Sequence, residues 1–268
     1  KKKENLFNSN YRLAESYKAN LYGNWYYTKQ HDTMKTYDTM VVKQDSINQI
    51  HFNKSEQYYN MCIDMKPDTF YVYQGLMDLY VFTEKFDKAE SLYGTIKDRF
   101  SSDSLLSTFS TSLAQAYSTS KDYKKALMFY EKIYAKDTGD TYILSQIADL
   151  YYKQKEIKKS EDIYKKMIKK DANNVNGYVQ LGKIYYDKGN YEEAKKYIED
   201  AFEKTFLEEY SYGSYFDLHY YRGLIAVKED RRMEAMLAYI DLKNTYTYTK
   251  EESEKKLTLY KAIKKMEE

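Results

Sequence analysis

The sequence is poor in residues that interrupt helices. Its 268 residues include only one proline and nine glycines. Sheet folds need many turns, and turns rely heavily on these two residues, so their scarcity predicts helix through nearly the whole chain. No apolar run approaches the ~18 residues that a membrane-spanning helix requires, and we expect no membrane span in this chain.

Residues that form disulfides or bind metals are also scarce. A single cysteine, Cys62, excludes an internal disulfide framework and a cysteine-based zinc site. The three histidines, His31, His51 and His219, have no second histidine or cysteine at ligand spacing. We interpret His31 with Asp32 as a solvated pair, and His219 and Cys62 as packing residues. With no glycine-rich phosphate loop either, we expect no metal, no cofactor and no enzymatic activity.

An excess of charge of one sign is absent. Lysine and arginine number 43 and aspartate and glutamate 41, which leaves a net charge of +2. A nucleic-acid-binding protein would show a strongly basic face, so we expect no nucleic-acid partner.

The first residue is lysine rather than methionine. A start of this kind is typical of a processed or trimmed chain, and it is compatible with the removal of a leader. It is compatible with an exported or lipid-anchored bacterial envelope protein, with a cytoplasmic protein as the alternative.

Tyrosine, by contrast, is abundant, with 34 residues, and it recurs with small residues at a regular spacing. One column of small residues has steps of 34, 37, 34, 34 and 41, and three further columns share this period and its insertions. The first column is Ser55, Ala89, Ala126, Ser160, Ala194 and Ala235. The others are Tyr59, Tyr93, Tyr130, Tyr164, Ile198 and Tyr239; Tyr80, Tyr117, Tyr151 and Tyr185; and Ala114, Ala148, Gly182 and Gly223.

Each repeat contains the pattern of two helices. Tyr178, Leu181, Gly182 and Tyr185 fall at i, i+3, i+4 and i+7, which places them on one helical face. A break follows at 188–190, and a second apolar face begins after it. The small residues predict a close helix crossing, since a larger side chain there would hold the two backbones apart.

These columns resemble the tetratricopeptide repeat family. The match is a bulky residue, leucine, a small residue and tyrosine in the first helix, then a small residue, an aromatic and a small or apolar residue in the second. The resemblance implies an all-α fold, a right-handed superhelical solenoid of antiparallel helix pairs with the first helices on the concave face. It divides the chain into an N-terminal helical cap (1–35), about six repeats (36–248) and a C-terminal capping helix (249–268), apolar at Leu257, Tyr260 and Ile263. The step of 41 residues assigns 207–213 to a loop at one edge.

The helical register then predicts which side chains line the concave groove. They lie on the first helices, on the side away from the core columns, and are aromatic and polar. Tyrosine offers contact area and a hydroxyl, and the amides can bond the backbone of an extended peptide. The candidate partner-binding residues are Tyr71, Gln74, Asp78, Thr111, Gln115, Tyr142, Ser145, Asp149, Tyr152, Asn176, Gln180, Lys183, Tyr186 and Tyr220.

One class of partner is excluded by the residues in this groove. Tetratricopeptide domains that bind the acidic tails of heat-shock chaperones grip a carboxylate with lysine, asparagine and arginine. The corresponding positions here hold Gln74, Asp78, Ser112, Tyr142 and Gln146. The resemblance therefore implies a non-enzymatic scaffold that binds a protein or peptide segment other than such a tail. The alternative is a sensor or accessory domain, such as a lipoprotein, of a larger signalling, envelope or transport assembly.

Overall fold

The computed structural model of the protein describes residues 2–31, 38–100, 102–205, 212–244 and 249–266. Side chains are described for 2–22, 47–100, 102, 105–205, 214–244 and 249–266. Within these ranges thirteen helices follow one another, and the all-α prediction is confirmed. They are α1 (Lys2–His31), α2 (Asp38–Met65), α3 (Phe70–Phe82), α4 (Phe86–Arg99), α5 (Asp103–Thr119), α6 (Tyr123–Tyr134), α7 (Thr141–Lys153), α8 (Ile157–Lys170), α9 (Val175–Asp187), α10 (Tyr191–Lys204), α11 (Tyr212–Lys228), α12 (Arg232–Lys243) and α13 (Lys250–Lys265).

Consecutive helices pack as antiparallel pairs, which confirms the predicted pairing. The contacts divide the chain into two units, Lys1–Lys136 and Asp137–Glu268. The first unit contains the pairs α1–α2, α3–α4 and α5–α6, and the second contains α7–α8, α9–α10 and α11–α12 together with α13. The helical N-terminal segment therefore packs on α2. The proposed boundaries between caps and repeats remain a prediction.

The column of small residues marks the closest packing in each helix pair. All six members, from Ser55 to Ala235, have no exposed surface. Each lies on the second helix of its pair, where a small side chain lets the neighbouring helix approach. Gly182 and Gly223 are buried in the same manner on first helices. The 34-residue spacing therefore identified the core directly.

A recurring polar contact ties three of the second helices, α2, α4 and α8, to the helices that follow them. The Tyr80 hydroxyl of α3 donates to Glu56 Oε1 of α2 at 2.7 Å, and Lys88 Nζ of α4 donates to the same oxygen at 2.6 Å. Tyrosines of this column thus bury an apolar ring and satisfy a polar tip. Sequence reasoning found the tyrosine column but not its glutamate partners. The same arrangement recurs in Glu90, Tyr117 and Lys125. Glu161 and Tyr185 repeat the glutamate–tyrosine bond, with Lys188 from the turn after α9 as the cation.

Short polar residues define where several helices begin. The side chain of the residue preceding the helix accepts a hydrogen bond from a backbone N–H of the first turn, which would otherwise lack a partner. Thr249 and Glu252 add the reciprocal bond of a capping box at the start of α13. The capping residues are Asp122, Asp140, Asn174, Asn190 and Thr249.

The turn between the two helices of several pairs contains one residue with positive φ. Gly189 is one of them, at φ 77°, whereas Lys155, 34 residues earlier, adopts φ 65° with a side chain. Glycine enters this left-handed region without the steric cost that Cβ imposes on other residues. The others are Glu84, Lys121 and Asp230.

This turn allows a reciprocal stability test. We expect Lys155→Gly to raise the free energy of unfolding by about 1 kcal/mol, because it removes the Cβ clash. Gly189→Ala should lower it by a similar amount, about 1 kcal/mol. Urea unfolding followed by far-UV circular dichroism measures both. Effects of the same sign in the two variants would contradict the assignment.

The C-terminal helix packs with a different face from the one the sequence indicated. Ile263 is buried as expected, but Leu257 and Tyr260 are 50% and 39% exposed. Leu259, four residues before Ile263, supplies the second buried contact and lies against Gly223 of α11. The buried face of α13 is therefore rotated relative to the predicted face, because the helix packs on α11 and α12 through Leu259 and Ile263, which are four residues apart. The predicted loop at 207–213 falls largely outside the described residues.

Candidate functional site

The first helices of the N-terminal unit, α1, α3 and α5, form one surface, which we call the N-terminal face. Five candidate residues lie on it. Tyr71 and Gln74 of α3 and Gln115 of α5 are exposed, with Tyr71 at 45%, while Asp78 and Thr111 are half-buried. These side chains are accessible, as the register predicted. They combine one aromatic ring with amide, hydroxyl and carboxylate groups.

Helix α1 contributes aromatic rings to this face that sequence reasoning did not assign to it. The Tyr11 ring meets the Tyr71 ring edge to face with centroids 4.9 Å apart, and Phe7 lies 6.4 Å from the same ring. Tyr22 contacts Phe82 with centroids at 3.9 Å. The signal that could have revealed this is the spacing of Phe7, Tyr11 and Tyr22, which places them near one side of a helix.

A cleft of about 410 Å³ opens between α3 and α5. This volume lies within the range of small-molecule and side-chain pockets, roughly 300–1,000 Å³. Two predicted site residues, Asp78 and Gln115, line it. The remaining lining residues are Val81, Phe82, Glu84, Phe86, Ser112, Ala116, Thr119 and Ser120.

The Asp78 carboxylate is the most perturbed charged group of this cleft. Burial raises its pKa above the ordinary value, Lys18 opposes that shift and Glu15 adds to it. Lys18 is itself paired with Glu15, whose Oε1 lies 3.1 Å from Lys18 Nζ. Among the described residues, none donates a hydrogen bond to Asp78. Folding therefore removes water from this carboxylate without replacing it by an equivalent donor.

The raised pKa predicts how stability depends on pH. The folded state holds the Asp78 proton more tightly than the unfolded state, so this group lowers stability as pH rises from about 4 through the raised pKa. Asp78→Asn should therefore increase the free energy of unfolding at about pH 7 more than at about pH 4. Urea unfolding of both proteins at the two pH values tests this. A larger gain on the acidic side would reverse the assigned sign.

The first helices of the C-terminal unit, α7, α9 and α11, carry the other candidate residues and form what we call the C-terminal face. Tyr142 is 52% exposed, whereas Ser145 and Tyr220 are buried at 7% and 9%. Ser145 donates to the Tyr142 carbonyl at 2.8 Å, and Tyr220 lies beneath Lys255 Nζ at 5.7 Å. Ser145 and Tyr220 thus act mainly in packing. The half-buried residues are Asp149, Tyr152, Asn176, Gln180, Lys183 and Tyr186.

Tyr152 links α7 to α9 at the centre of this face. Its hydroxyl donates to Asp187, and Lys183 Nζ lies 4.7 Å from its ring centroid. Asp149, one turn earlier, accepts from the Tyr164 hydroxyl at 2.6 Å. Burial raises the Asp149 pKa, while the Tyr164 bond and Lys183 act in the opposite direction. The structure therefore brings Asp149, Tyr152 and Lys183 close together, and Lys183 acts electrostatically on the other two.

The rest of the C-terminal face continues onto α11. Tyr186 meets the ring of Tyr221 at 5.5 Å and that of Tyr191 at 5.2 Å, both edge to face. Asn176 Oδ1 accepts from the Ser214 hydroxyl at 3.1 Å. Burial raises the Tyr186 pKa to about 12. Tyr186 is thus partly a packing residue that also presents an edge to solvent.

Helix α13 adds a cation to this region, which sequence reasoning missed. Lys255 Nζ lies 2.9 Å from Asp217 of α11 and 3.0 Å from Glu251. Lys255 stands four residues before Leu259 and eight before Ile263, on the buried stripe of the helix. A lysine on an apolar stripe is the signal that could have predicted a buried carboxylate partner.

The isolated reactive side chains take packing positions. Cys62 is fully buried, and burial raises its pKa to about 11, which disfavours the nucleophilic thiolate. His219 is 4% exposed, and its Nδ1 lies 3.1 Å from Asp241. The side chains of His31 and Asp32 lie outside the described residues. No metal-ligating cluster occurs among the described residues, and none of the helices searched in those ranges is long and apolar enough to cross a membrane.

Comparison with known proteins finds the same architecture in solved structures. Residues 100–201 match the family described as anaphase-promoting complex, cyclosome, subunit 3. The solved structure of a tetratricopeptide repeat protein from Parabacteroides merdae is similar over 99% of both chains, with a TM-score of 0.51 and 16% identity. The chain therefore has the helical-repeat fold of the tetratricopeptide-repeat protein that it matches. No curated protein matches its sequence significantly.

Other solved structures share this fold. PilW, described as a widely conserved type IV pilus biogenesis factor, matches with a TM-score of 0.50 and 12% identity, over 80% of this chain and 94% of PilW. A chain of the Cut9–Hcn1 hetero-tetramer of the anaphase-promoting complex matches with a TM-score of 0.51 and 14% identity, over 96% of this chain and 47% of that one. At such identities, the likeness establishes the fold alone.

Proposed function

We propose that this protein is a non-enzymatic scaffold that binds an extended protein segment along the exposed side chains of its first helices. Tetratricopeptide-repeat folds are in general protein-interaction scaffolds without catalysis. The observation that carries the proposal is the exposure of large aromatic rings beside amide groups: Tyr71 beside Gln74, and Tyr142 on the other face. Interface anchors are typically such rings, surrounded by polar groups that bond the partner's backbone.

The two faces differ in how their tyrosines are held. Tyr71 is braced by Tyr11 and Phe7, so its ring is already ordered before a partner arrives. Tyr152 is held by Asp187 and Lys183. Ordered side chains lose little entropy on binding, which favours affinity. The acidic cleft beside Asp78 supports the further proposal that the partner is not an acidic chaperone tail, since like charges repel.

Selection from a displayed random-peptide library tests the proposal, followed by measurement of the affinity of each enriched peptide for the full chain. For a given peptide we expect either Tyr71→Ala or the triple variant Tyr142→Ala, Tyr152→Ala, Tyr186→Ala to weaken binding at least tenfold, about 1.4 kcal/mol. Far-UV circular dichroism and thermal unfolding confirm that each variant remains folded. Because Tyr186 packs on Tyr221, a double variant that retains Tyr186 separates loss of binding from loss of packing.

The matched control lies on a second helix. Lys196 and Glu199 of α10 are exposed, and the double variant Lys196→Ala, Glu199→Ala should leave affinity unchanged. If this control weakened binding while the tyrosine variants did not, the binding surface would be on the second helices and the proposal would be wrong.

A further inference from the structure

Two carboxylates occupy the same position in different repeats but have different surroundings. Asp78 on α3 and Asp149 on α7 belong to one column, which also contains Gln115 and Lys183 on the first helices that follow each of them. Asp149 accepts a hydrogen bond from Tyr164, and Lys183 and Lys153 stabilise its charge. The protein thus supplies Asp149 with a donor and two cations of its own.

Each of these three partners is missing or engaged elsewhere around Asp78. Tyr93 occupies the position of Tyr164, but its hydroxyl is paired with the Ser110 hydroxyl at 2.9 Å rather than with Asp78. Gln115 stands where Lys183 stands, and Phe82 where Lys153 stands. Among the described side chains of α1, Lys18 and Glu15 act on Asp78 and form an ion pair with each other, and Tyr11 and Tyr22 also lie within electrostatic reach of Asp78. Asp78 is therefore a half-buried carboxylate that lacks the three partners that Asp149 has.

Apart from the Gln115 amide, the polar side chains that line the cleft beside Asp78 present hydrogen-bond acceptors. The hydroxyl of Ser112 donates to the Thr108 carbonyl at 3.2 Å and that of Thr119 to the Gln115 carbonyl at 2.9 Å. Ser120 donates in the same way to Tyr117, at 3.1 Å. With their protons directed at the helix backbone, these hydroxyls expose oxygen lone pairs.

The walls of the cleft complement this polar lining. Glu84 adds a second carboxylate, which is exposed, and Val81, Phe82 and Ala116 supply apolar surface. A ligand that fits must carry positive charge, several donors and an aliphatic stem, and basic side chains combine these features. Arginine matches best, because its guanidinium has five donors and no acceptor and also stacks on aromatic rings.

We propose that the cleft between α3 and α5 binds a basic side chain, preferably arginine, of the peptide partner, with Asp78 as its counter-ion. This inference rests on the proposed function, since it names the partner chemistry that the N-terminal face selects. Filling the cleft gives Asp78 the donors that Asp149 receives from within the protein. An extended segment that crosses this face would be held in register by that charge pair.

The test uses the full chain and a displayed random-peptide library, selected in parallel on wild type, Asp78→Asn and the control Asp98→Asn, which changes an exposed carboxylate of α4. On wild type and Asp98→Asn we expect enrichment of arginine at one position. On Asp78→Asn that enrichment should disappear. An enriched peptide is then resynthesised with citrulline, the neutral isostere of arginine. Replacing arginine by citrulline should weaken its binding to wild type about tenfold to hundredfold and leave binding to Asp78→Asn nearly unchanged.

The outcomes separate this inference from the proposed function. Enriched peptides without a basic residue, or basic peptides that bind Asp78→Asn as well as wild type, would overturn the cleft assignment and leave the scaffold function standing. If wild type enriched no peptide at all, both proposals would fail. Equal loss in Asp98→Asn would show that general charge, rather than this cleft, selects the peptide. Circular dichroism of each variant confirms folding.

Discussion

Gly182→Leu should be among the most destabilising single substitutions in the C-terminal unit. A Cβ at Gly182 would lie 2.6 Å from both Cγ1 and Cδ1 of Ile198 and 3.4 Å from the Ala194 carbonyl oxygen. Ile198 is 1% exposed and Ala194 fully buried, so neither can move into solvent. Overpacking a close-packed core typically costs ~1–3 kcal/mol, and four added carbons at this crossing should cost about 3 kcal/mol or more.

Gly94 supplies the matched control for this substitution. It lies within α4, and a Cβ built there meets no heavy atom within 4 Å. Gly94→Leu should therefore raise stability by up to about 1 kcal/mol through helix propensity alone. Thermal and urea unfolding of both leucine variants provide the comparison. A Gly182→Leu protein as stable as wild type would mean that the helices do not cross at this position.

Tyr59→Ala should have the largest effect in the N-terminal unit. Tyr59 is fully buried in α2, lies directly over Gly75 of α3 and donates its hydroxyl to Glu15 of α1. One side chain thus joins three helices. Removing a buried aromatic ring typically costs about 3–5 kcal/mol, and we expect a loss of free energy of unfolding in this range.

The conservative variant Tyr59→Phe separates the contribution of the aromatic ring to stability from that of the hydroxyl group. It retains the ring against Gly75 but leaves Glu15 without the hydroxyl donor, which typically costs about 1.5–3 kcal/mol for a bond to a charged group. Lys18 remains beside Glu15 at 3.1 Å and should keep the loss near the lower limit. If Tyr59→Phe were as damaging as Tyr59→Ala, the ring would contribute little and the packing account would be wrong.

Much of the core could be predicted from periodicity, and the physical reason is geometric. A stacked array repeats the same helix crossing, so the residue at each crossing must be small wherever it recurs, and Ser55 through Ala235 are all fully buried. Cys62 and His219 were likewise assigned to packing from their columns, and both are buried. The accessible positions Tyr71 and Tyr142 also follow from the register, because they lie off the core columns.

Partners that come from outside a repeat could not be predicted in this way. Tyr220 lies on a first helix, yet α13 covers it through Lys255, so it is buried rather than accessible. Leu257 and Leu259 lie only two residues apart in the sequence, but Leu259 is the one that is buried, because it packs on Gly223. A single-chain pattern contains no information about which neighbouring helix covers a given side chain.

The sequence by itself determined the fold class, the helix pairs and the core columns, because these depend on spacing within one chain and on residue volume. Only the tertiary structure distinguished Asp78 from Asp149, which share a column. Hydrogen bonds and ion pairs act over a few ångströms between neighbouring helices. An aspartate at the same register position is therefore bonded within the protein at Asp149 and open to a partner at Asp78.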